Sequence, residues 1–285
     1  EKEKTESIIK KIISSDQNIT SLNKGDKGKI ILNQTCFYGE SGGQVGDEGV
    51  FSNDNFTFNV HNTTKIFGNF FIHWGVVTKG KCNINDQVTA SINIQKRNLI
   101  RNNHSSTHLL QASLRHILGK HVTQKGSLVS DQKLRFDFSH NEPLSLSNIE
   151  NINILVNEMI SQKIPIETQL LDHKKAVESG AIALFGEKYG DEVRVVSMRK
   201  NDSSIFSREL CGGTHVKNTG DIEKFKIINE SSVASGIRRI EAITNIEVEL
   251  YNNFEIKKKS DHKAKIKSEI NELINLIKKN NPYKE

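Results

Sequence analysis

The stretch RNNHSSTHLLQASLRHILG, residues 101–119, sets His104 and His108 four positions apart. Leu110, Leu114, Ile117 and Leu118 follow a 3.6-residue repeat and Gly119 comes next as a terminator, so the spacing predicts a helix. Its polar stripe is His104, His108, Gln111 and Arg115. Positions i and i+4 share a helical face, which brings two imidazoles within reach of one ion. Taken alone, such a pair is more often unconnected surface.

A second pair changes that balance. In ELCGGTHVKNTG, residues 209–220, Cys211 and His215 are again four apart, with Gly212 and Gly213 letting the backbone curl. One thiolate and three neutral imidazoles make a full tetrahedral set for Zn2+. The H-x-x-x-H spacing is shared with zinc peptidases, whose general base is the glutamate after the first histidine. Ser105 stands there and cannot do that work, which excludes a peptidase.

The chain around these motifs reads as α+β. It has 285 residues, 35% hydrophobic and 26% charged, enough for one large domain or two ordinary ones. The excess of 40 Lys and Arg over 34 Asp and Glu is compatible with a polyanionic partner without demanding one. No apolar run approaches the ~18 residues of a membrane span, and no signal-peptide pattern opens the chain. Three cysteines, Cys36, Cys82 and Cys211, argue against a disulfide framework and for a reducing, cytoplasmic setting. Glu1 rather than Met at the first position fits a piece of a longer protein.

Ile8, Ile9, Ile12 and Ile13 predict a short helical lead-in over residues 1–26, with Thr5 as its cap. Residues 27–95 carry the strand-like runs GKIILNQTCFY, FTFNVHNTT, NFFIHWGVV and VTASINIQ, which predict an antiparallel β-barrel. Residues 96–245 form a mixed α+β core. It holds a hairpin in SLVSDQKLRFDFSH and a helix in SNIENINILVNEMISQKI, with Ser147 and Glu150 as a capping box. PIETQLLD and DEVRVVSM read as strands joined by a short helix and a Gly-bounded loop, and more strand follows to Thr244. Residues 246–285 predict a polar helix with Ile266, Ile270, Leu273 and Ile277 spaced 4, 3, 4.

Three further stretches offer candidate site residues. YGESGGQVGDEG, residues 38–49, is a turn-rich loop with Glu40, Gln44 and Asp47; on composition alone it is a plain set of barrel turns. HVTQKGSLV carries Gln124 and Lys125. SGIRRIEAIT carries Arg238 and Arg239, candidate phosphate clamps, although neighbouring strand residues face opposite ways and only one is expected to serve.

Together, ESGGQ-x-GD, NHSSTHLL, HVTQKGSLV, CGGTHV and SGIRRIEA, in this order over residues 27–245, resemble the editing region of alanyl-tRNA synthetases. Freestanding alanyl editing proteins are similar but usually carry a P-T-G-G-G-Q type loop where this chain has G-E-S-G-G-Q. The resemblance therefore implies an excised part of a synthetase, with ATP and Mg2+ confined to an aminoacylation domain outside the chain. It implies hydrolysis of Ser-tRNA(Ala), and to some degree Gly-tRNA(Ala). It assigns Zn2+ to His104, His108, Cys211 and His215, places Thr107 and Gln124 in the acyl pocket beside Gln44, and makes Glu40 and Asp47 candidate proton acceptors. Lys125, Arg238 and Arg239 are its candidate tRNA contacts, and a monomeric fragment is expected. Zinc could generate hydroxide or position substrate, and the sequence leaves both open. A trans-editing deacylase and a non-catalytic zinc RNA-binding domain are the alternatives.

Editing has a physical reason. A pocket that accepts alanine cannot strongly exclude a molecule with one more hydroxyl or one fewer methyl, since differences of ~1–3 kcal/mol give only ~10–200-fold discrimination. A second, hydrolytic sieve is required.

Overall fold

The computed structural model describes residues 2–68, 70–183, 190–200 and 202–279. The chain divides into two compact units, Glu1–Asn245 and Ile246–Glu285.

The first unit opens with eight strands: β1 (Lys4–Ser14), β2 (Gln17–Ile19), β3 (Ser21–Asn23), β4 (Lys27–Leu32), β5 (Gly49–Ser52), β6 (Phe56–Ile66), β7 (Phe70–Asn83) and β8 (Gln87–Ile92). Six of them close an antiparallel ring in the order β1-β4-β7-β6-β5-β8, with β8 returning to β1. β2 extends β1, and β3 pairs with β7. Phe51, Phe56, Phe58, Ile9, Ile12 and Ile30 fill the interior with essentially no exposed surface.

The helical lead-in is corrected here, because residues 4–14 are a barrel strand. Ser7 and Ile9 point inward with the two-residue period of a strand, and a register shift between Ile9 and Lys11 then makes Ile12 the next inward residue. An inserted bulge residue turns i, i+2 into i, i+3, which mimics a helical stripe.

α1 (Ile94–Leu118) leads from the barrel into the core and starts ten residues before the first histidine, capped by Asn93, whose side chain accepts from Lys96 N. β9 (Gln124–Val129) and β10 (Leu134–Ser139) form the expected hairpin, followed by α2 (Leu146–Ser161). The cap of α2 is Ser145, which accepts from Asn148 N at 3.1 Å, so Ser147 lies inside the first turn instead of capping it. Then come β11 (Ile166–Asp172), α3 (His173–Glu178), β12 (Glu192–Arg199), β13 (Ile205–Leu210), β14 (Phe225–Ala234) and β15 (Ile237–Thr244). The Gly-bounded loop after α3 falls partly on residues 184–189, outside the described residues.

The core holds a four-stranded sheet, β14-β15-β10-β9, and a three-stranded sheet, β11-β12-β13. Phe136, Phe138 and Ile240 of the larger sheet pack with Leu109, Leu110 and Leu114 of α1 and with Ile152, Val156 and Met159 of α2. The fold class is α+β, with an N-terminal antiparallel barrel and a C-terminal helix.

That helix, α4 (Ile246–Lys279), makes up the second unit. Ile266, Ile270, Leu273 and Ile277 are exposed along it. No described helix is long and apolar enough to cross a membrane.

The barrel interior also buries a histidine. His73 has no exposed surface; its Nδ1 is 3.0 Å from Ile30 O and its Nε2 2.9 Å from Thr35 Oγ1, with Phe37 and Phe51 edge-on. Burial lowers its pKa from 6.5 to about 4. The unfolded chain then binds the proton more readily, so this stabilisation is fully present above pH ~6.5 and is lost as the pH falls toward ~4. Urea unfolding is expected to show a loss of about 2 kcal/mol between pH 7 and pH 5 from this group, and His73→Phe should flatten that part of the slope.

Candidate metal centre and pocket

α1 carries the first two histidines where it is buried on nearly all sides: residues 102–111 have less than a tenth of their surface exposed. The polar stripe read from the sequence therefore faces protein. Cys211 and His215 arrive on the turn that leaves β13. The four ligand atoms of His104, His108, Cys211 and His215 lie within 4.8 Å of one another. Cys211 Sγ is 3.4 Å from His104 Nε2 and 3.3 Å from His215 Nε2. Those separations match the roughly 3.5 Å edges of a zinc tetrahedron with bonds near 2.0–2.3 Å.

Each imidazole is oriented through its other nitrogen. His104 Nδ1 lies 2.7 Å from Gln44 Oε1, an atom that only accepts, so Nδ1 carries the proton and Nε2 is left as a lone pair. His108 Nδ1 lies 2.8 Å from the buried carboxylate of Glu209. His215 Nδ1 is 3.2 Å from Ser105 Oγ, which accepts from Val216 N. His108 Nε2 is buried and makes no hydrogen bond among the described residues. A buried, inward ring nitrogen without a hydrogen-bond partner, beside a thiol and two more imidazoles, fits a cation held at this point. Carboxylate–histidine and amide–histidine contacts of this kind are what fix tautomer and ring angle around a metal.

The electrostatics agree. Burial pushes the Cys211 thiol up, but the imidazoles of His104, His215 and His108 packed around it hold it well below the ordinary thiol range. Burial takes His215 down to about 3, so it is neutral and able to ligate. Burial opposes charge on His108 as well, yet Glu209 and the Cys211 thiolate carry it up to about 10. A cation bound to the four ligand atoms would take the place of the second proton on His108.

Gly213 shows how tightly the turn is seated. A Cβ there would lie 2.0 Å from His104 Cε1 and 2.8 Å from Gln44 Oε1. On the other side, the Arg194 guanidinium donates to Cys211 O at 3.0 Å and Gly213 O at 2.6 Å, while Cys211 N donates to Arg194 O. Sequence reading missed Arg194 and Glu209. Glu209 was findable, since it sits near the end of β13 two residues before Cys211; nothing local marks Arg194.

A pocket of about 360 Å3 opens over the cluster, with Thr107, Gln124, Tyr38, Lys65 and Arg194 in its wall. Thr107 Oγ1 donates to Asn103 O at 2.9 Å, which leaves its lone pairs free to accept. Gln124 Nε2 donates to Ser127 Oγ at 3.2 Å. Gln44 is not in the wall; it lies fully buried beneath the ligands. Neither candidate proton acceptor reaches the pocket. Asp47 is buried, with its carboxylate clamped by Arg97 and accepting from Tyr38 N, and Glu40 is exposed. Among the described residues, the carboxylates in the wall are Glu192 and Glu209.

The candidate tRNA residues do not gather at the pocket. Arg238 pairs with Glu230, and Arg239 makes two hydrogen bonds to Asp137, so each guanidinium already serves the sheet. Lys125 is exposed on β9.

Known proteins are similar to this chain in sequence. Residues 1–96 match the family model described as tRNA synthetases class II (A), and residues 193–241 match the threonyl and alanyl tRNA synthetase second additional domain. The barrel and the turn bearing Cys211 and His215 thus fall in domains of class II synthetases, while His104 and His108 lie between the two matches. An alanine--tRNA ligase of Chelativorans sp. (strain BNC1) is 45% identical over 256 residues, which is 88% of this chain and 29% of that protein. The chain belongs to the alanyl-tRNA synthetase family and spans under a third of the length of the relative it matches.

Freshly purified protein should hold about one metal ion per chain by elemental analysis, and His108→Ala or Cys211→Ala should remove it. Gly213→Ala should lower occupancy by displacing His104. Glu209→Gln should weaken metal affinity by about 10–100-fold in chelator competition, the usual cost of losing an outer-shell partner.

Proposed function

We propose that this chain is an editing deacylase that hydrolyses the ester of Ser-tRNA(Ala), and more weakly of Gly-tRNA(Ala), with Zn2+ held by His104, His108, Cys211 and His215. The observation that carries this reading is the pocket itself. It sits over the ligand cluster, has Thr107 and Gln124 in its wall, and is at the lower end of the ~300–1,000 Å3 range of ligand sites. A thiolate with three imidazoles is a donor set suited to Zn2+. The family membership supports a tRNA substrate. In the whole protein, deacylation would accompany ATP-dependent ligation of alanine, and the free cysteines suit a reducing cytoplasm.

A zinc ion in this position supplies Lewis acidity and fixed positive charge beside the ester. The chain's own residues do the rest. Thr107, held by Asn103, presents lone pairs that accept from a seryl hydroxyl. Gln124 offers its amide at the pocket wall. Glu209 keeps His108 turned into the cluster, and Arg194 keeps the Cys211 turn closed.

Alanine is smaller than serine, so it fits wherever serine fits and size cannot protect Ala-tRNA(Ala). Protection requires a positive reading of the hydroxyl by a buried polar group left unpaired with alanine, a mismatch worth up to ~10⁴-fold. Ser-tRNA(Ala) should therefore be deacylated far faster than Ala-tRNA(Ala), and Thr107→Gly should erode that ratio by accelerating alanine loss. Equal rates on both substrates in the unaltered chain would refute hydroxyl reading. Absence of any deacylation with zinc bound would leave a structural zinc domain instead.

A further inference from the structure

The wall of the metal pocket carries cations from two directions, Lys65 on the barrel and Arg194 on β12, and two described carboxylates, Glu209 and Glu192. The carboxylates differ in what they already hold. Glu209 is buried, with Oε2 2.8 Å from His108 Nδ1 and Oε1 accepting from Ser207 Oγ at 2.9 Å. Both of its oxygens are engaged. Glu192 is exposed at the start of β12, and its carboxylate makes no hydrogen bond or ion pair to any described residue.

The strand that carries Glu192 is pinned at the ligand turn. Arg194, two residues on and therefore on the same face of β12, donates to Cys211 O and Gly213 O, and its own carbonyl accepts from Cys211 N. Glu192 thus stands on the strand face that meets the pocket, with Gly190 also in the wall. Its register partner on β11 is another carboxylate, Asp172. Asp172 has a use of its own, since its Oδ1 accepts from Lys174 N and Lys175 N as the cap of α3. Like charges directly opposite on neighbouring strands are unfavourable. A second carboxylate here, with no described ion pair to offset it, does nothing for the sheet, so its use lies with what enters the pocket.

We propose that Glu192 anchors the α-ammonium group of the ester bound in this pocket. The inference rests on the editing reading for what the ligand is, but its test does not depend on catalysis. Every aminoacyl ester carries that ammonium one carbon from the carbonyl that water attacks, and the charges of Lys65 and Arg194 repel it. A carboxylate with both oxygens uncommitted is its strong partner, through charge-assisted hydrogen bonds. Thr107 reads the side-chain hydroxyl and so separates serine from alanine. Glu192 reads the backbone nitrogen and so separates an aminoacyl ester from one whose nitrogen is acylated or absent. The metal is the rival partner for that nitrogen.

The test uses the 285-residue chain loaded with Zn2+ and two fluorescent RNA acceptor-stem helices, each with a hydrolysis-resistant amide at its 3′ end. One carries a seryl group, the other its glyceryl counterpart, in which a hydroxyl replaces the α-ammonium at nearly the same size. By anisotropy at pH 7, the unaltered chain is expected to bind the seryl form about 10-fold more tightly. That preference should fade above pH ~8, where the α-amino group loses its proton. Glu192→Gln should abolish the preference by weakening seryl binding alone, at unchanged melting temperature. No preference in the unaltered chain, or equal losses on both forms in Glu192→Gln, would overturn the assignment. A preference that survives Glu192→Gln would overturn it too and give the nitrogen to the metal. Deacylation of Ser-tRNA(Ala) is measured separately: its absence alongside a Glu192-dependent preference would sink the editing reading and leave the anchor standing.

Discussion

The side chain of Gln44 joins parts of the chain that are otherwise separate. Its Oε1 accepts from His104 Nδ1 at 2.7 Å and from Thr214 N at 2.9 Å, and its Nε2 donates to Thr214 Oγ1 at 3.0 Å. One amide from a barrel loop thereby fixes a ring on α1 and the turn between Cys211 and His215. With no exposed surface, it works in a low-dielectric setting where each of these hydrogen bonds is strong and an unmade one is costly. The ligand cluster is thus a three-body contact among the barrel, α1 and the turn after β13.

Much of the surrounding structure can be understood as support for that contact. The loop holding Gln44 is anchored at its far end by the buried Arg97–Asp47 pair, by Tyr38 N donating to the Asp47 carboxylate and by Asp47 N donating to Tyr38 O. At its middle it joins β9, where Val45 N donates to Val129 O and Val129 N to Gly43 O. A buried pair of this kind is poor evidence of net stability, but removing one partner would strand a charge at a cost of ~3–5 kcal/mol. The pair ties this end of the loop to the first turns of α1. Asp47, which looks like a catalytic carboxylate in sequence, is occupied with this anchoring.

The cluster also concentrates charge. A thiolate at Cys211 and a carboxylate at Glu209 share one buried site, and the imidazole between them is pushed to hold a proton near pH 10. A divalent cation held by His104, His108, Cys211 and His215 would replace that proton, which would link metal binding to proton release.

The sequence by itself determined which four residues make the candidate metal cluster, the class of fold and most elements of the core. These follow from local rules: two C/H-x-x-x-H spacings, alternating apolar strands, and a helical repeat of leucines with a glycine stop. Its errors came where a local signal is degenerate. The bulge in β1 gives Ile9 and Ile12 a helical spacing inside a strand, and Ser145 and Ser147 are both plausible caps until Leu146 is seen to start the helix. Roles for charged residues were least legible, because a carboxylate or guanidinium says nothing about its partner. Only the tertiary structure set Arg97 against Asp47, Arg239 against Asp137 and Arg194 against the Cys211 turn, contacts that span 17 to 102 residues of sequence. Side-chain type and spacing travel with the chain, but whether a charge is spent on structure or left for a substrate depends on which distant group the fold brings beside it.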